Sequence, residues 1–324
     1  MSSEFDIIQD YFNWQQTAAS VRVGVGDDAA VLDLTAKQGQ ELIISVDTFI
    51  EGVHFPKNAP VEAIGHKALA VNLSDLAAMG AEPAWFTLAI TLPESNQQWL
   101  KAFSLGLKKL ADQHNIVLIG GDTTRGSLSI TIQVMGFVTA GEALLRSTAK
   151  PNDKIYVSGY LGDAAIGLAL IQARLKADML SQTANTFCRN ALNFPYPQNT
   201  LSKIIRPYAT ACLDISDGLL QDLTHILKAS NVSARLDSDK IPLSSHALEL
   251  GYDTALPYAL SGGDDYQLLF TVPPENEAKL LKRIADADES ISCIGTIGVN
   301  NDDKIRDSSG NLISTTGYQH FYGE

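Results

Sequence analysis

Six short acidic motifs recur along the chain, and each stands beside Gly, Ser or Thr at the end of an apolar run. Apolar runs that end in turn-forming residues are typical of buried strands and helices, so the chain should alternate buried segments with acidic turns. This pattern predicts a mixture of strands and helices around a ligand site. The motifs are GDDAA at 26–30, SVDT at 45–48, NLSDL at 72–76, GGDTT at 120–124, DISDG at 214–218 and SGGDDY at 261–266.

The apolar periodicity places elements around these motifs. In the first half it predicts helices at 4–18, 63–79 and 99–113, and strands at 21–25, 29–34, 42–49, 83–92, 117–119 and 129–138. In the second half it predicts helices at 164–175 and 219–229, and strands at 155–159, 209–213, 234–237, 266–272 and 291–297, with a less regular stretch at 176–206.

A polar connection, LLRSTAKPND at 144–153, interrupts the pattern and predicts a domain boundary. We therefore expect two domains, 1–146 and 147–324. The predicted fold class is α/β, with an α+β amino-terminal domain built on a mixed sheet and an α/β carboxy-terminal domain.

Composition excludes several classes of function. The net charge of -13 argues against a nucleic-acid partner, because binding to the phosphate backbone draws on clustered Lys and Arg. The sequence has neither a basic and apolar leader nor an apolar stretch of membrane-spanning length, so we expect a soluble cytoplasmic protein and no membrane partner. The three cysteines are far apart, which predicts neither a zinc site nor a disulfide framework.

One motif suggests a dinucleotide-binding fold. Gly24, Gly26 and Ala29 match GxGxxA after the strand-like VRV, so a nicotinamide oxidoreductase is an alternative. Two features oppose it. The following AAVLDL favours a strand instead of a helix, and Asp27 and Asp28 would repel a pyrophosphate.

Asp75 provides the most direct argument for a cation. On helix 63–79 it shares a face with apolar residues, and leucines make much of the remaining circumference apolar, so its carboxylate should be partly buried. A buried charge is stable beside a cation or several hydrogen-bond donors. From spacing alone, a metal ion and a Lys or Arg partner are equal alternatives.

The other acidic motifs favour the metal. Mg²⁺ binds oxygen ligands and substrate phosphates, and the chain contains no GxxxxGK[ST] loop that could neutralise phosphate in another way. In DISDG, carboxylates at the end of a strand are placed where ligands collect in α/β folds, although Asp217 taken alone is equally typical of a helix cap.

Taken together, these motifs carry a resemblance to a known family. GDDAA, SVDT, HKALAVNLSDLAAMGAEP, IGGDTTRG, LLRSTAKPND, DISDG and SGGDDYQL follow the order of motifs in bacterial thiamine-monophosphate kinases, members of the aminoimidazole ribonucleotide synthetase-like superfamily. The resemblance runs from near residue 4 to the terminal GYQHF and is weakest at 176–206 and 274–310. It implies a homodimer whose amino-terminal domains join sheets, and a carboxy-terminal domain that closes over ATP and thiamine monophosphate.

The resemblance also implies a role for individual positions. The residues implied to ligate several Mg²⁺ ions are Asp28, Ser45, Asp47, Asp75, Asp122, Asp214 and Asp217. Those implied to contact ATP are Gly121, Asp122, Arg146 and Ser216, and those implied to line the thiamine-phosphate pocket are His54, Asp264 and Tyr318. Taken singly, His54 would be an exposed loop histidine, Arg146 a surface arginine and Tyr318 a packing aromatic.

Two positions depart from the family pattern. Val46 stands where relatives carry Thr, so it could contact a metal only through its main-chain carbonyl. Asp264 stands where they carry Glu, which shortens that carboxylate arm by one methylene group.

The implied reaction is Mg²⁺-assisted phosphoryl transfer from ATP to thiamine monophosphate, which yields thiamine diphosphate. A phosphomonoester has a second pKa of about 6 and is mostly ionised at pH 7, so no general base is predicted. The alternatives are another ATP-using enzyme of the superfamily, such as an aminoimidazole ribonucleotide synthetase, and a non-catalytic protein that binds divalent metals. A selenophosphate synthetase should show a reactive Cys near its amino terminus, and this chain has no Cys before Cys188.

Overall fold

The computed structural model describes residues 4–14, 18–26, 29–299, 302 and 304–314. Two of the candidate site residues, Asp28 and Tyr318, lie outside these ranges. The chain divides into two compact units, one formed by Met1–Leu76 with Ala81–Gly141 and the other by Ala77–Gly80 with Glu142–Glu324. The domain boundary expected between residues 146 and 147 stays a prediction.

The described elements up to residue 139 form one group of strands and helices. They are α1 (Glu4–Ile7), which continues as a π-helical turn (Ile8–Phe12), then β1 (Val21–Val23), β2 (Val31–Leu32), a 3₁₀ turn (Thr35–Lys37), β3 (Gln40–Ile50), α2 (Val61–Ala78), β4 (Glu82–Leu92), α3 (Gln97–His114), β5 (Val117–Arg125) and β6 (Ser129–Thr139).

The first unit is built on a four-stranded mixed sheet in the order β3-β6-β4-β5. Only the β4–β5 pairing is parallel among these strands. Burial alternates along β3: Ser45, Asp47 and Phe49 face the covered side of the sheet, whereas Ile44 and Val46 face outward. The edge strand β3 therefore presents Ser45 and Asp47 to the covered face and the apolar side chains of Ile44 and Val46 to the exposed face.

Helices α2 and α3 cross at two glycines. A Cβ atom on Gly65 would lie 2.1 Å from the carbonyl oxygen of Phe103, and one on Gly106 would lie 1.9 Å from that of Glu62. Any side chain at either position would force the helices apart, because Cβ atoms essentially never approach within 3.0 Å of another heavy atom. This close approach fixes α2, the helix that carries Asp75.

Several predictions for the first half hold, and one is wrong. Strands 42–49, 83–92 and 129–138 and helices 63–79 and 99–113 are confirmed within a few residues, and Gly80 has the left-handed φ of 74° expected after a helix. The helix predicted at 4–18 is wrong in its extent, because the helical segment that begins at Glu4 ends at Phe12 and Asn13 leaves the helical region. Strands β1 and β2 pair antiparallel, so the element that follows the GxGxxA segment is a strand and not a helix.

The elements after residue 153 form the second group. They are β7 (Lys154–Ser158), α4 (Asp163–Ile171), a 3₁₀ turn (Ala177–Met179), α5 (Gln182–Asn193), α6 (Asn199–Ile205), β8 (Ala211–Asp214), α7 (Leu219–Ser230), β9 (Ser233–Leu236), 3₁₀ turns (Ser238–Lys240 and Ala247–Leu250), α8 (Tyr252–Ser261), β10 (Leu268–Val272), α9 (Pro274–Asp286), β11 (Ile291–Gly298) and β12 (Ile305–Arg306).

The second unit has a six-stranded sheet with a core on each face. The order is β12-β9-β11-β7-β10-β8, and the β12–β9 pairing is the parallel one among these strands. Alternate residues of β7 point to opposite sides, so Ile155 and Val157 join a cluster that includes α4, α7 and α8, whereas Tyr156 joins a cluster that includes α6 and α9. Helices therefore cover both faces, in agreement with the predicted α/β class.

The stretch 176–206 is more regular than predicted. It contains α5 and α6. The side chain of Ser181 caps α5 by accepting a hydrogen bond from the Ala184 amide, at 3.1 Å. The buried stripe of α5 consists of Ala184, Cys188 and Leu192 at a spacing of four. The apolar stripe at this spacing and the Ser181 cap are the helix signals that the sequence carries here.

Among the described residues, no helix combines the length and the apolar character needed to cross a membrane.

Candidate active site

The first group of candidate residues lies between β3 and α2. Ser45 Oγ donates a hydrogen bond to Asp75 Oδ2 at 2.5 Å, and both side chains are partly buried. Asp47 follows Ser45 on the same face of β3. The predicted partial burial of the Asp75 side chain is thus confirmed, and Ser45 is one donor to its carboxylate. One hydroxyl and two carboxylates on this face form an oxygen-rich group of the kind that Mg²⁺ prefers.

Asp122 lies on the opposite edge strand, β5. Across the sheet, Asp122 pairs with Ala89, Ala89 pairs with Thr131, and Thr131 pairs with Thr48. Ala89 and Thr48 are exposed, so this row of side chains belongs to the outward face of the sheet. Asp47 belongs to the adjacent row, which faces inward and ends at Gly121. Within this unit, the structure therefore places Asp47 and Asp122 on opposite edges and opposite faces of the sheet, about 14 Å apart at roughly 4.8 Å per strand.

A cavity of about 500 Å³ opens beside Asp122. Gly26, Gly120, Gly121 and Asp122 line part of it, and the apolar part of its lining includes Phe12. A concave site with apolar walls and a few polar groups is typical of small-ligand binding. Gly121 is also required by packing, because a Cβ atom there would lie 1.8 Å from the carbonyl oxygen of Leu88.

His54 is held in a defined orientation by its neighbours. Its Nδ1 atom accepts a hydrogen bond from the Ile50 amide at 3.0 Å, and its ring stacks on Phe49 with centroids 5.3 Å apart. A neutral ring that accepts at Nδ1 carries its proton on Nε2. His54 is therefore an ordered, partly buried donor and not a free loop histidine.

The second group of candidate residues lies in the loop between β8 and α7. Strand β8 ends at the buried Asp214, and the chain then bends through Ser216 and Asp217 to Gly218, where α7 begins. Gln221 Nε2 donates to Asp217 Oδ2 at 3.0 Å. The structure thus brings Asp214, Ser216 and Asp217 together.

Asp222 and His225 join this loop, although the sequence analysis did not select them. One ligand atom each from Asp217, Asp222 and His225 lies within 4.8 Å of the others, a spacing that suits a metal ion. Burial raises the pKa of Asp222 to about 7; the negative charges of Asp217 and Asp214 add to the rise, and hydrogen bonds from the Asp217 and Gly218 amides oppose it. A signal was present in the sequence: Asp222 stands on the apolar stripe of α7, three residues after Leu219.

Arg146 belongs to the same neighbourhood. Its side chain is exposed, and its main-chain carbonyl accepts a hydrogen bond from Ser230 Oγ at 2.9 Å. Burial lowers the pKa of His225, and the positive charge of Arg146 lowers it further. An exposed guanidinium close to an acidic loop is well placed to contact phosphate oxygens.

Asp264 lies in a loop that runs against the Ser216 loop. Its amide donates to the Ser216 carbonyl oxygen at 2.9 Å, and the Tyr266 amide donates to that of Ile215 at 2.8 Å. The Asp264 carboxylate accepts a hydrogen bond from the Tyr266 hydroxyl at 3.2 Å. Asp264 has a left-handed φ of 70°, which is uncommon outside glycine, so the backbone is held in this geometry by its surroundings.

Comparison with known proteins identifies the family. The profile described as AIR synthase related protein, N-terminal domain, matches residues 26–138, and the corresponding C-terminal domain matches residues 150–308. The thiamine-monophosphate kinase of Salmonella typhimurium is 44% identical over 322 residues, which is 98% of each chain.

Solved structures give the same result. The crystal structure of thiamine-monophosphate kinase from Stenotrophomonas maltophilia K279a is 43% identical and superposes with a TM-score of 0.87, covering 96% of this chain and 98% of the other. AaThiL in complex with AMPPCP and TMP is 28% identical with a TM-score of 0.78, covering 98% and 97% of the two chains. The resemblance seen in the motifs is confirmed, and the chain belongs to the thiamine-monophosphate kinases of the AIR synthase related family.

Proposed function

We propose that this chain transfers the terminal phosphoryl group of ATP to the phosphate of thiamine monophosphate, which yields thiamine diphosphate and ADP. The observation that carries the proposal is the match to the Salmonella typhimurium enzyme, which extends over 98% of both chains at 44% identity. A match of that extent includes the acidic motifs of both units. The related AaThiL complex contains AMPPCP and TMP, a ligand pair that agrees with this reaction.

Mg²⁺ is the metal in this proposal. The residues proposed to hold several Mg²⁺ ions are Asp28, Ser45, Asp47, Asp75, Asp122, Asp214 and Asp217, and within one unit Asp47 and Asp122 lie too far apart to share an ion. Two features of the described residues support the choice. The donors are hydroxyl and carboxylate oxygens, which suit a hard divalent cation. In addition, Asp214 and Asp217 stand close enough to Asp222 to raise its pKa, so the loop concentrates negative charge that a cation would relieve.

The chain's own groups bind and orient the reactants. When bound, Mg²⁺ would neutralise the phosphate charge and reduce the repulsion between two polyanions. Ser45 holds the Asp75 carboxylate in place, and the apolar surroundings of α2 limit the access of water to it. The acceptor phosphate is already ionised at neutral pH, so the side chains position the reactants and no general base is needed.

The proposed nucleotide contacts are Gly121, Asp122, Arg146 and Ser216. The cavity beside Asp122 has the volume and the apolar walls to receive an adenosine group. Arg146 is proposed to contact phosphate oxygens through its exposed guanidinium.

The proposed contacts of thiamine monophosphate are His54, Asp264 and Tyr318. His54 offers an Nε2 proton to an acceptor on the substrate. The Asp264 carboxylate suits the cationic thiazolium or the aminopyrimidine of thiamine, and the Tyr266 hydroxyl holds that carboxylate in place.

A homodimer is part of the proposal. The outward face of β3 exposes four large apolar side chains, Leu42 (44%), Ile44 (53%), Val46 (54%) and Ile50 (44%). This apolar face lies on an edge strand, and exposed apolar edges in soluble proteins are usually covered by a partner. A second copy of this chain would cover it with an identical face, as in a two-fold dimer.

The dimer is tested by measuring mass in solution. Ile44→Lys should convert the dimer to a monomer, whereas Leu105→Lys, which changes a side chain of similar exposure (55%) on α3, should leave the dimer intact. Light scattering on the purified proteins gives the masses. A wild-type monomer, or an Ile44→Lys dimer of unchanged affinity, would contradict the assignment.

The activity is tested by comparing acceptors. We expect ADP release in the presence of thiamine monophosphate, and at most background release with thiamine or with the purine intermediate of the aminoimidazole ribonucleotide synthetase reaction. Faster release with the purine intermediate would assign the chain to another activity of the superfamily.

A further inference from the structure

We propose that Asp222 is a positioning residue, whose buried carboxylate holds the Ser216–Gly218 loop so that Asp217 faces a bound cation. This inference rests on the proposed function, because it assigns a role within that site. The key observation is the convergence of three consecutive amides on one oxygen: the N–H groups of Ser216, Asp217 and Gly218 all donate to Asp222 Oδ2, at 3.0, 3.1 and 3.1 Å.

Three amides in a row that point at one centre form an anion-binding nest. The nest lies at the start of α7, where unpaired amides and the helix dipole also favour negative charge. Here a side chain of the same helix fills it, and Asp222 is only 4% exposed. A ligand phosphate cannot use these amides while Asp222 occupies them.

The Ser216–Gly218 loop consequently offers a carboxylate to a ligand, and its three amides are not available for binding. With the amides directed inward to Asp222, the groups left near the loop surface include the Asp217 carboxylate, fixed by its hydrogen bond from Gln221. A carboxylate attracts a cation and repels a phosphate. The nucleotide phosphates therefore meet this loop through a cation, and Asp222 enforces that choice by keeping the amides occupied.

The same loop supports the loop that carries Asp264. The Asp264 amide donates to the Ser216 carbonyl oxygen at 2.9 Å. The two loops also touch at their glycines: a Cβ atom on Gly263 would lie 2.3 Å from the Ser216 carbonyl oxygen, and one on Gly218 would lie 2.8 Å from the Ser261 carbonyl carbon. A displacement of the Ser216 loop must therefore move Asp264 as well.

The test compares Asp222→Ala and Asp222→Asn with a matched control. Asp153 is an equally buried aspartate of the same unit and accepts hydrogen bonds from the Lys150 amide and the Thr210 hydroxyl. These contacts lie just before strands β7 and β8 begin, whereas the Ser216 loop follows the end of β8. Asp153→Ala should therefore lower thermal stability without changing ligand dependence.

For Asp222→Ala we expect the Mg²⁺ concentration at half-maximal activity to rise at least tenfold and the KM for thiamine monophosphate to rise at least threefold. Asp222→Asn keeps an acceptor oxygen for the amides, so we expect an intermediate rise of about threefold in the Mg²⁺ requirement. A second readout is independent of turnover: amide hydrogen exchange of residues 216–218 should accelerate in both variants and stay unchanged in Asp153→Ala.

Two results would overturn the inference. One is a folded Asp222→Ala, or a folded Asp222→Asn if the alanine variant cannot be purified, whose Mg²⁺ requirement and amide exchange at 216–218 both match wild type. The other is an Asp153→Ala protein whose Mg²⁺ requirement rises as much as that of Asp222→Ala. If wild-type protein fails to phosphorylate thiamine monophosphate, the proposed function is wrong, and the exchange measurement still decides whether Asp222 holds the loop.

Discussion

The crossing of α2 and α3 offers a test of how closely the Ser45–Asp75 pair depends on packing. Gly106→Ala would place a Cβ atom 1.9 Å from the Glu62 carbonyl oxygen, whereas real Cβ contacts are longer than 3.0 Å. The two helices must therefore separate locally by about 1 Å. Overpacking of this kind costs about 1–3 kcal/mol, and the higher helix propensity of Ala returns up to about 1 kcal/mol.

The net destabilisation of about 0–3 kcal/mol should lower Tm by up to roughly 12 °C, at about 2–4 °C per kcal/mol for a unit of this size. The larger effect should be on activity, since α2 carries Asp75 and its hydrogen bond to Ser45 is only 2.5 Å long. A misplacement of about 1 Å at a reacting centre can cost roughly a hundredfold in rate. We therefore expect kcat/KM to fall by about tenfold to a hundredfold.

The control is Gly167→Ala on α4, where the new Cβ atom would lie 2.2 Å from the Cys188 carbonyl oxygen in the second unit. It should lower Tm by a similar amount and change kcat/KM by less than about threefold. Melting curves and steady-state kinetics on both variants give the comparison. A Gly106→Ala enzyme with wild-type kcat/KM, or equal losses in the two variants, would refute the argument that helix packing positions Asp75.

Three further predictions concern single carboxylates. Asp75→Asn keeps the shape of the side chain and an acceptor for the Ser45 hydroxyl but removes the charge, so kcat should fall at least a hundredfold while Tm stays near wild type. Unchanged turnover would leave Asp75 a structural role. Asp264→Ala should raise KM for thiamine monophosphate about tenfold to a hundredfold, because a charged hydrogen bond of about 1.5–3 kcal/mol is lost, and it should leave kcat and KM for ATP nearly unchanged. Asp264→Glu should be tolerated, and equal rises in both KM values would exclude the pocket assignment. Burial raises the pKa of Asp163, and the Ser244 hydroxyl and the His246 charge oppose the rise, so the folded state binds the Asp163 proton more tightly than the unfolded state. The free energy of unfolding should therefore fall as pH rises from about 4 through the folded pKa. Urea unfolding in EDTA should show this loss in wild type relative to Asp163→Asn, and parallel pH profiles would contradict it.

Local signals in the sequence sufficed for the elements with clear periodicity. The β-rich run from Leu42 to Phe49 predicted β3, and the apolar run closed by Gly80 predicted α2, so the partial burial of Asp75 followed from the helical spacing. Helix α5 escaped prediction although the sequence carries a Ser181 cap and an apolar stripe at a spacing of four, since two of the three buried side chains are small and the exposed Phe187 interrupts the polar outer face.

The arrangement of the acidic motifs required the structure, since pairing between strands decides it. Nothing in the sequence places Asp47 and Asp122 on opposite edges of one sheet, because the strand order β3-β6-β4-β5 depends on contacts between distant segments. The position of Asp222 on the apolar stripe of α7 is visible in the sequence. Its role is not, because the role depends on the three amides that donate hydrogen bonds to its carboxylate, and only the structure shows them.

The central claim is direct, metal-dependent transfer of phosphate to phosphate. ³¹P NMR of the purified full-length chain with ATP, thiamine monophosphate and Mg²⁺ follows both reactants and products in one experiment. The account predicts that the thiamine monophosphate signal is replaced by the two coupled signals of thiamine diphosphate, one equivalent of ADP appears for each, and EDTA abolishes both changes. Formation of ADP and inorganic phosphate without thiamine diphosphate, or an unchanged rate in EDTA, would contradict it.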